Sequence, residues 1–204
     1  MLHSPIHSHL LLPATDNVLT FRYMGRSPFK DVLKELEDLR FIRGLRSLYL
    51  TGPSGTGKSF ILAALVCSLI RKGKRVLYIP DCSVLLGGAE ESLREALQFT
   101  FHDDRDICRD INGARDTDDL IRIVGRQTRH ILYVVADQCN ALDPNGVEDP
   151  RYQAKVNART YIERLGRSQV FTFSTSGKHQ WDRRNDGNAR GIKSIFLHAG
   201  LSEV

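Results

Sequence analysis

The sequence is poor in the residues that mark whole classes of protein. Only four cysteines occur in 204 residues, Cys67, Cys82, Cys108 and Cys139, and no two stand as C-x-x-C. That spacing excludes a disulfide scaffold and a zinc finger, and leaves reduced thiols packed as small apolar groups. No apolar run nears the roughly 18 residues that cross a bilayer. The short Leu10–Leu12 run has no basic stretch before it, so it does not read as a secretory signal. These absences point to a soluble intracellular chain without a membrane partner. No G-x-S-x-G elbow supports a hydrolase triad, and no internal repeat stands out. Neither sign of charge dominates: 29 Lys and Arg face 24 Asp and Glu, a net +5. Such a balance permits an anionic ligand or a nucleic acid and argues for neither.

Apolar strands alternating with helices fill the rest. Residues 1–20 read as an irregular lead-in, where His3, His7 and His9 have no carboxylate or cysteine partner and are taken as a solvated tail. Residues 21–204 read as one domain. A helix follows Ser27 and Pro28, with Val32, Leu33, Leu36 and Leu39 as its apolar stripe and Gly44 as its end. Residues 47–51 form a buried strand. Further helices are expected over 59–71, 90–101, 118–127 and 151–165, and further strands over 75–79, 131–136, 169–174 and near 195–197. Between residues 103 and 119 seven aspartates face three arginines, read as an irregular, solvated surface insertion rather than a metal site. Strands apolar on both faces imply a mainly parallel sheet covered on both sides, a three-layer αβα fold.

The chemistry starts at Gly52-Pro53-Ser54-Gly55-Thr56-Gly57-Lys58-Ser59, which fits G-x-x-x-x-G-K-[ST] (the Walker A pattern) at every position. A triphosphate needs its charge met without bulky side chains. Glycines let successive N–H groups turn inward, and the helix that follows adds its positive N-terminal end. Lys58 brings a full charge to the β and γ phosphates, and Ser59 a hydroxyl ligand for Mg²⁺. The pattern lies between a buried strand and an apolar helix, the context this mechanism requires. ATP with Mg²⁺ is therefore the expected ligand.

The metal also needs a carboxylate at the end of a buried strand. Six apolar residues, 131–136, lead to Asp137, the Walker B position. A whole strand, 75–79, separates the loop helix from this one, the arrangement of the additional-strand ATPases. In that group the polar end of the next strand senses the γ-phosphate, here Ser174, Thr175 or Ser176, although a plain serine-rich turn fits as well. Gln138 stands where such ATPases commonly carry a glutamate base. Glutamine orients a water but is a very poor base, so turnover is expected to be slow. Asp143, Glu148 and Asp149 follow in the loop with nothing to position them.

Together these residues resemble the P-loop domain of Crinkler-type effectors and their retrotransposon-hot-spot relatives, signalling-type ATPases. The resemblance rests on the Phe21-to-Arg26 box, the phosphate loop, the Asp137-to-Leu142 run and Phe173 to Ser176, and spans roughly residues 20–200. It implies that Gly25 and Arg26 contact base or ribose, that Ser174 belongs to a sensor strand, and that the domain acts as a nucleotide switch, with self-association a further expectation. For an effector it would also imply secretion and a host-nuclear location, though no translocation module is visible. A helical lid is expected after Leu201, so the chain reads as a fragment or a truncated relative. Two other readings stay open: a module that binds nucleotide without hydrolysing it, and a nucleic-acid-stimulated ATPase. The latter rests on Lys178, Arg183, Arg184, Arg190 and Lys193, set against Asp182 and Asp186.

Overall fold

In the computed structural model the described residues are 11–12, 20–21, 27–39, 46–127, 131–166, 169–175 and 192–198. Within the lead-in, β1 (Leu11–Leu12) pairs antiparallel with β2 (Thr20–Phe21). Helix α1 (Ser27–Leu39) carries Pro28 in its first turn, where a missing N–H costs nothing. It buries Val32, Leu36 and Leu39. Strand β3 (Arg46–Thr51) runs into the phosphate loop and helix α2 (Lys58–Arg71). After α2 the chain turns at Gly73, whose φ of 67° suits a residue without Cβ, and enters β4 (Arg75–Ile79). Three helices follow: α3 (Leu85–Thr100), α4 (Arg105–Gly113) and α5 (Thr117–Gly125). Strand β5 (Leu132–Ala136), helix α6 (Tyr152–Gly166), β6 (Val170–Ser174) and β7 (Ile192–Phe196) complete the order.

Strands β3 to β7 form one parallel sheet in the order β4-β5-β6-β3-β7. Strand β6 lies between the phosphate-loop strand β3 and the Asp137 strand β5, while β4, the strand that intervenes between them in sequence, lies at the edge beyond β5. Every residue of β5 and of β6 is buried, because helices cover both faces. On one face Leu48, Leu50 and Val135 pack with Leu36 of α1 and Leu62 and Leu65 of α2. On the other, Tyr49, Val134 and Phe173 pack with Leu97 of α3, Leu120 of α5 and Ile162 of α6. The sheet is thus the middle of three layers, the α/β architecture the pattern predicts.

Two expectations of irregular structure fail. The lead-in is not wholly irregular, since β1 and β2 pair there, and the acidic stretch is not an irregular insertion: it forms α4 and the start of α5. Asp104 caps α4 by accepting from the Ile107 amide (3.1 Å), and Asp116 caps α5 by accepting from the Asp119 amide (2.8 Å). Asp119 is buried between Arg115 and Arg122. The Arg115 amide and then its guanidinium hold the Asp119 carboxyl below the usual range. Asp118 bonds Arg164 of α6, and Asp103 bonds Arg75 of β4. Asp104 and Asp116 are helix caps, Asp118 ties α5 to α6 and Asp103 ties the turn after α3 to β4, uses that local charge density does not announce. Helix α3 also begins earlier than expected, because it bends at Gly88 instead of starting after it.

Candidate nucleotide site

A parallel sheet presents the C-terminal ends of its strands along one edge, where side chains from several strands converge. Here the final registers pair Leu50 with Ser174, Thr51 with Phe196, and Ala136 with Phe173. Gly52, Asp137 and Ser174 therefore come to the same edge although they are far apart in sequence.

The phosphate loop has the backbone its glycines allow. Gly52, Gly55 and Gly57 have φ of 142°, 81° and 82°, values that side chains with a Cβ rarely adopt. Gly57 sits left-handed at the cap of α2, and no side chain caps that helix. The first α2 amides stay unclaimed by a capping group, as an anion-binding helix end requires. Gly52 answers a second demand. A Cβ there would lie 2.3 Å from the Leu197 carbonyl oxygen. The Leu197 amide in turn donates to the Thr51 carbonyl at 2.8 Å. This contact between β3 and the end of β7 was not legible in the sequence, since it joins two backbones.

Lys58 folds back over the loop. Its Nζ donates to the carbonyls of Gly52 (2.8 Å) and Pro53 (2.6 Å) and to Thr56 Oγ1 (3.3 Å). Thr56 Oγ1 donates to the Pro53 carbonyl at 2.9 Å. The lysine is only 6% exposed. Burial pulls its pKa down, and the field of Asp137 partly opposes this. A cation held by neutral carbonyls is one that several phosphate oxygens could claim at little cost.

Asp137 follows β5 and is 1% exposed. Its amide donates to the Ile79 carbonyl (2.9 Å) and its carbonyl accepts from the Cys82 amide (3.1 Å), so the backbone is pinned to the end of β4. Oδ1 accepts from the Gln138 amide at 2.8 Å and from the Ser174 hydroxyl. Among the described residues Oδ2 accepts no hydrogen bond, and Ser59 at the start of α2 makes none through its hydroxyl. A buried carboxylate with one oxygen free of hydrogen bonds is the kind of group that suits a hard divalent cation.

Gln138 is exposed, with φ 56° and ψ 39°, the left-handed region that favours glycine. Its amide is shared between Asp137 and Ser174 Oγ (3.3 Å). Below it Cys82 and Cys139, both fully buried, meet at 3.6 Å between sulfurs. Burial first, then the Cys82 contact, raises the Cys139 thiol.

Of the polar residues at the end of β6, Ser174 faces Asp137. Thr175 is fully buried with its hydroxyl unpartnered, and its amide donates to the Leu50 carbonyl at 3.1 Å. Asp143 and Asp149, weighed as bases, are engaged: Asp143 with Arg159 at 3.4 Å and Asp149 with Lys155 at 2.8 Å. Glu148 is exposed. Gly25, Arg26, Ser176 and residues 178–190 lie outside the described residues. Lys193, grouped with that basic run, instead sits on β7 and pairs with Glu35 of α1 at 3.3 Å.

Among comparisons with known proteins, the family match bears on the first part of the chain. Residues 10–87, short of half the sequence, match the family model described as IstB-like ATP binding protein. No curated protein matches. Among solved structures, AMPPCP-bound DnaA from Aquifex aeolicus aligns with TM-score 0.42 and 17% identity, covering 84% of this chain and 45% of that one. A DNA replication initiation factor aligns with TM-score 0.42 and 14% identity over 82% and 44% of the two chains. C. elegans PCH-2 gives 0.43 and 13% over 83% and 43%. The chain spans less than half the length of each, and similarities this weak carry no argument about function. What stands is a parallel α/β fold with a phosphate-loop segment similar to that of an ATP-binding family.

Proposed function

We propose that this chain is a Mg²⁺-dependent ATP-binding P-loop module that hydrolyses slowly and works as a nucleotide switch. The observation that carries the reading is the convergence of Lys58 and Asp137 at one sheet edge, with β6 between their strands. Loop amides and the α2 N-terminus meet the phosphate oxygens, and Lys58 exchanges its carbonyl partners for them. Ser59 and the free Oδ2 of Asp137 are suited to hold the cation, which would neutralise charge between the β and γ phosphates. Gln138 can orient a water through its amide but does not take its proton, and of the acidic residues beyond it Asp143 and Asp149 are tied in ion pairs while Glu148 is exposed. Binding is therefore well provided for and proton abstraction is not.

The domain is taken as residues 21–204 after a 20-residue lead-in, with Gly25 and Arg26 on the base or ribose. The finer Crinkler-type assignment rests on the four stretches named above, the Asp137-to-Leu142 run being the most telling, since the phosphate loop speaks for a nucleotide and not for a family. The match over residues 10–87 names another ATP-binding family, and the two readings share the phosphate loop, Gly52 to Ser59.

The test is binding of ATP and ATPγS with Mg²⁺, followed by phosphate release, for the wild type and Gln138→Glu. Tight binding with slow release, accelerated in the glutamate variant, is the expected result. Steady release by the wild type would end the slow-switch reading, and absence of binding would end the nucleotide assignment.

A further inference from the structure

The opposite edge of the sheet holds a feature the nucleotide reading does not use. Where β4 and β5 begin, a hollow of about 570 Å³ opens between the end of α2, the end of α3 and the strand starts. Its size is in the range of preformed binding sites, roughly 300–1,000 Å³. The walls are fixed. Thr100 Oγ1 donates to the Val76 carbonyl (3.1 Å), fastening the α3 end to β4, and Arg75 donates to the Thr100 carbonyl (3.0 Å). The Arg75 guanidinium also lies 5.2 Å over the Phe101 ring and bonds Asp103.

Three large apolar side chains line the hollow while remaining open to water: Phe99 (75% exposed), Ile70 (51%) and Ile131 (38%). Ordinary folding places such residues inside, and their clustering at one cavity marks a contact surface. The adjoining turn is basic: Arg71, Lys72, Lys74 and Arg75 flank Gly73. Asp103 answers Arg75 and Glu37 answers Lys72. Among the described residues Arg71 and Lys74 make no ion pair.

We propose that this hollow docks an acidic segment of a partner protein, whose large apolar side chain enters between Phe99, Ile70 and Ile131 while its carboxylates meet Lys74 and Arg71. The charge of the rim selects the occupant. Phe99 and Ile70 also keep most or half of their surface in water, apolar area that a protein segment can cover. The surface lies across the sheet from the phosphate loop, so a partner held there leaves the nucleotide edge open.

The probe is a fluorescein-labelled peptide of about 12 residues, with a central Trp-Leu pair between runs of Asp and Glu, followed by anisotropy. Saturable binding is expected, weakened about tenfold by Phe99→Ala, by Lys74→Glu, by Trp-Leu→Ala-Ala in the peptide, and by exchanging its acids for lysines. ATP binding, read on the same samples, should match wild type in both variants, so a loss confined to the peptide is not unfolding. No saturation up to about 1 mM, equal binding of the lysine or Ala-Ala peptide, or indifference to both substitutions overturns the proposal.

Discussion

The Ser174 hydroxyl donates to Oδ1 of Asp137, the oxygen that also accepts the Gln138 amide at 2.8 Å. Two donors thus converge on one oxygen, and among the described residues the other accepts no hydrogen bond. Ser174 was read from sequence as a sensor of the γ-phosphate. Its position supports a role one step back, holding the carboxylate that holds the cation. Ser174→Ala should then weaken the Mg²⁺ dependence of ATP binding by about fivefold, the worth of one hydrogen bond near 1 kcal/mol. Metal-free nucleotide affinity should barely change. A Mg²⁺ titration of ATP binding reads both, and an unaltered midpoint would show that the bond positions nothing.

Two loop glycines should respond very differently to a methyl group. At Gly52 a Cβ meets the Leu197 carbonyl at 2.3 Å and φ is 142°. At Gly55 a Cβ meets nothing within 4 Å, though φ is 81°. Gly55→Ala should cost about 1–2 kcal/mol from backbone strain alone. Gly52→Ala should cost more than about 3 kcal/mol, because β7 must also move off β3. Urea denaturation of the nucleotide-free protein gives both values. Equal costs would mean that the Leu197 contact yields easily.

The contrast between these two glycines shows where sequence reading succeeds and where it stops. The spacing of Gly52, Gly57, Lys58 and Ser59 fixes the loop because each residue answers a local requirement. The strand before Asp137 was legible because 131–136 are apolar on both faces, which only a doubly covered sheet tolerates. The position of Ser174 beside Asp137 was half legible: the strand was, its neighbour was not, since pairing is long-range. The Leu197 contact was hidden because backbone atoms carry no residue identity. The aspartates from 103 to 119 misled because a cap and a solvated charge look alike in composition. Only a helix start tells Asp104 and Asp116 from their neighbours. Gly25 and Arg26 lie outside the described residues and stay where the resemblance put them.

Lys58 should matter to ligand and not to fold. Its ammonium is buried against three neutral acceptors and its pKa is lowered by that burial. Lys58→Met should abolish ATP binding, and with it any ATP-induced rise in melting temperature, while leaving the nucleotide-free protein at least as stable. The pH dependence has a definite sign. A lysine with folded pKa below its unfolded value of 10.5 binds fewer protons folded than unfolded in the interval between them. Wild-type stability should therefore gain on Lys58→Met as pH approaches 10.5 from below. A widening gap in the other direction would contradict a buried, depressed lysine.

Asp149 shows the same sign of pH dependence at the acid end, with a charge that stabilises the fold. Its carboxylate accepts from Lys155 Nζ (2.8 Å) and from the amides of Arg151 (2.8 Å) and Asn145 (3.1 Å), closing the loop that leads into α6. The Lys155 bond first, then these two amides, lower its pKa from 3.8 to about 2. A carboxyl depressed in the folded state stabilises the fold at pH above its unfolded value, and that contribution fades as pH falls toward the folded one. Asp149→Asn should thus lower the urea midpoint at about pH 7 by an amount that stays constant down to about pH 4. Between about pH 4 and about pH 2 the two midpoints should converge. Lys155→Met should show the same convergence, because it removes the largest cause of the shift. Should the wild-type advantage persist unchanged at about pH 2, Asp149 would hold the loop by shape rather than by charge, and asparagine with other packing would be the place to look.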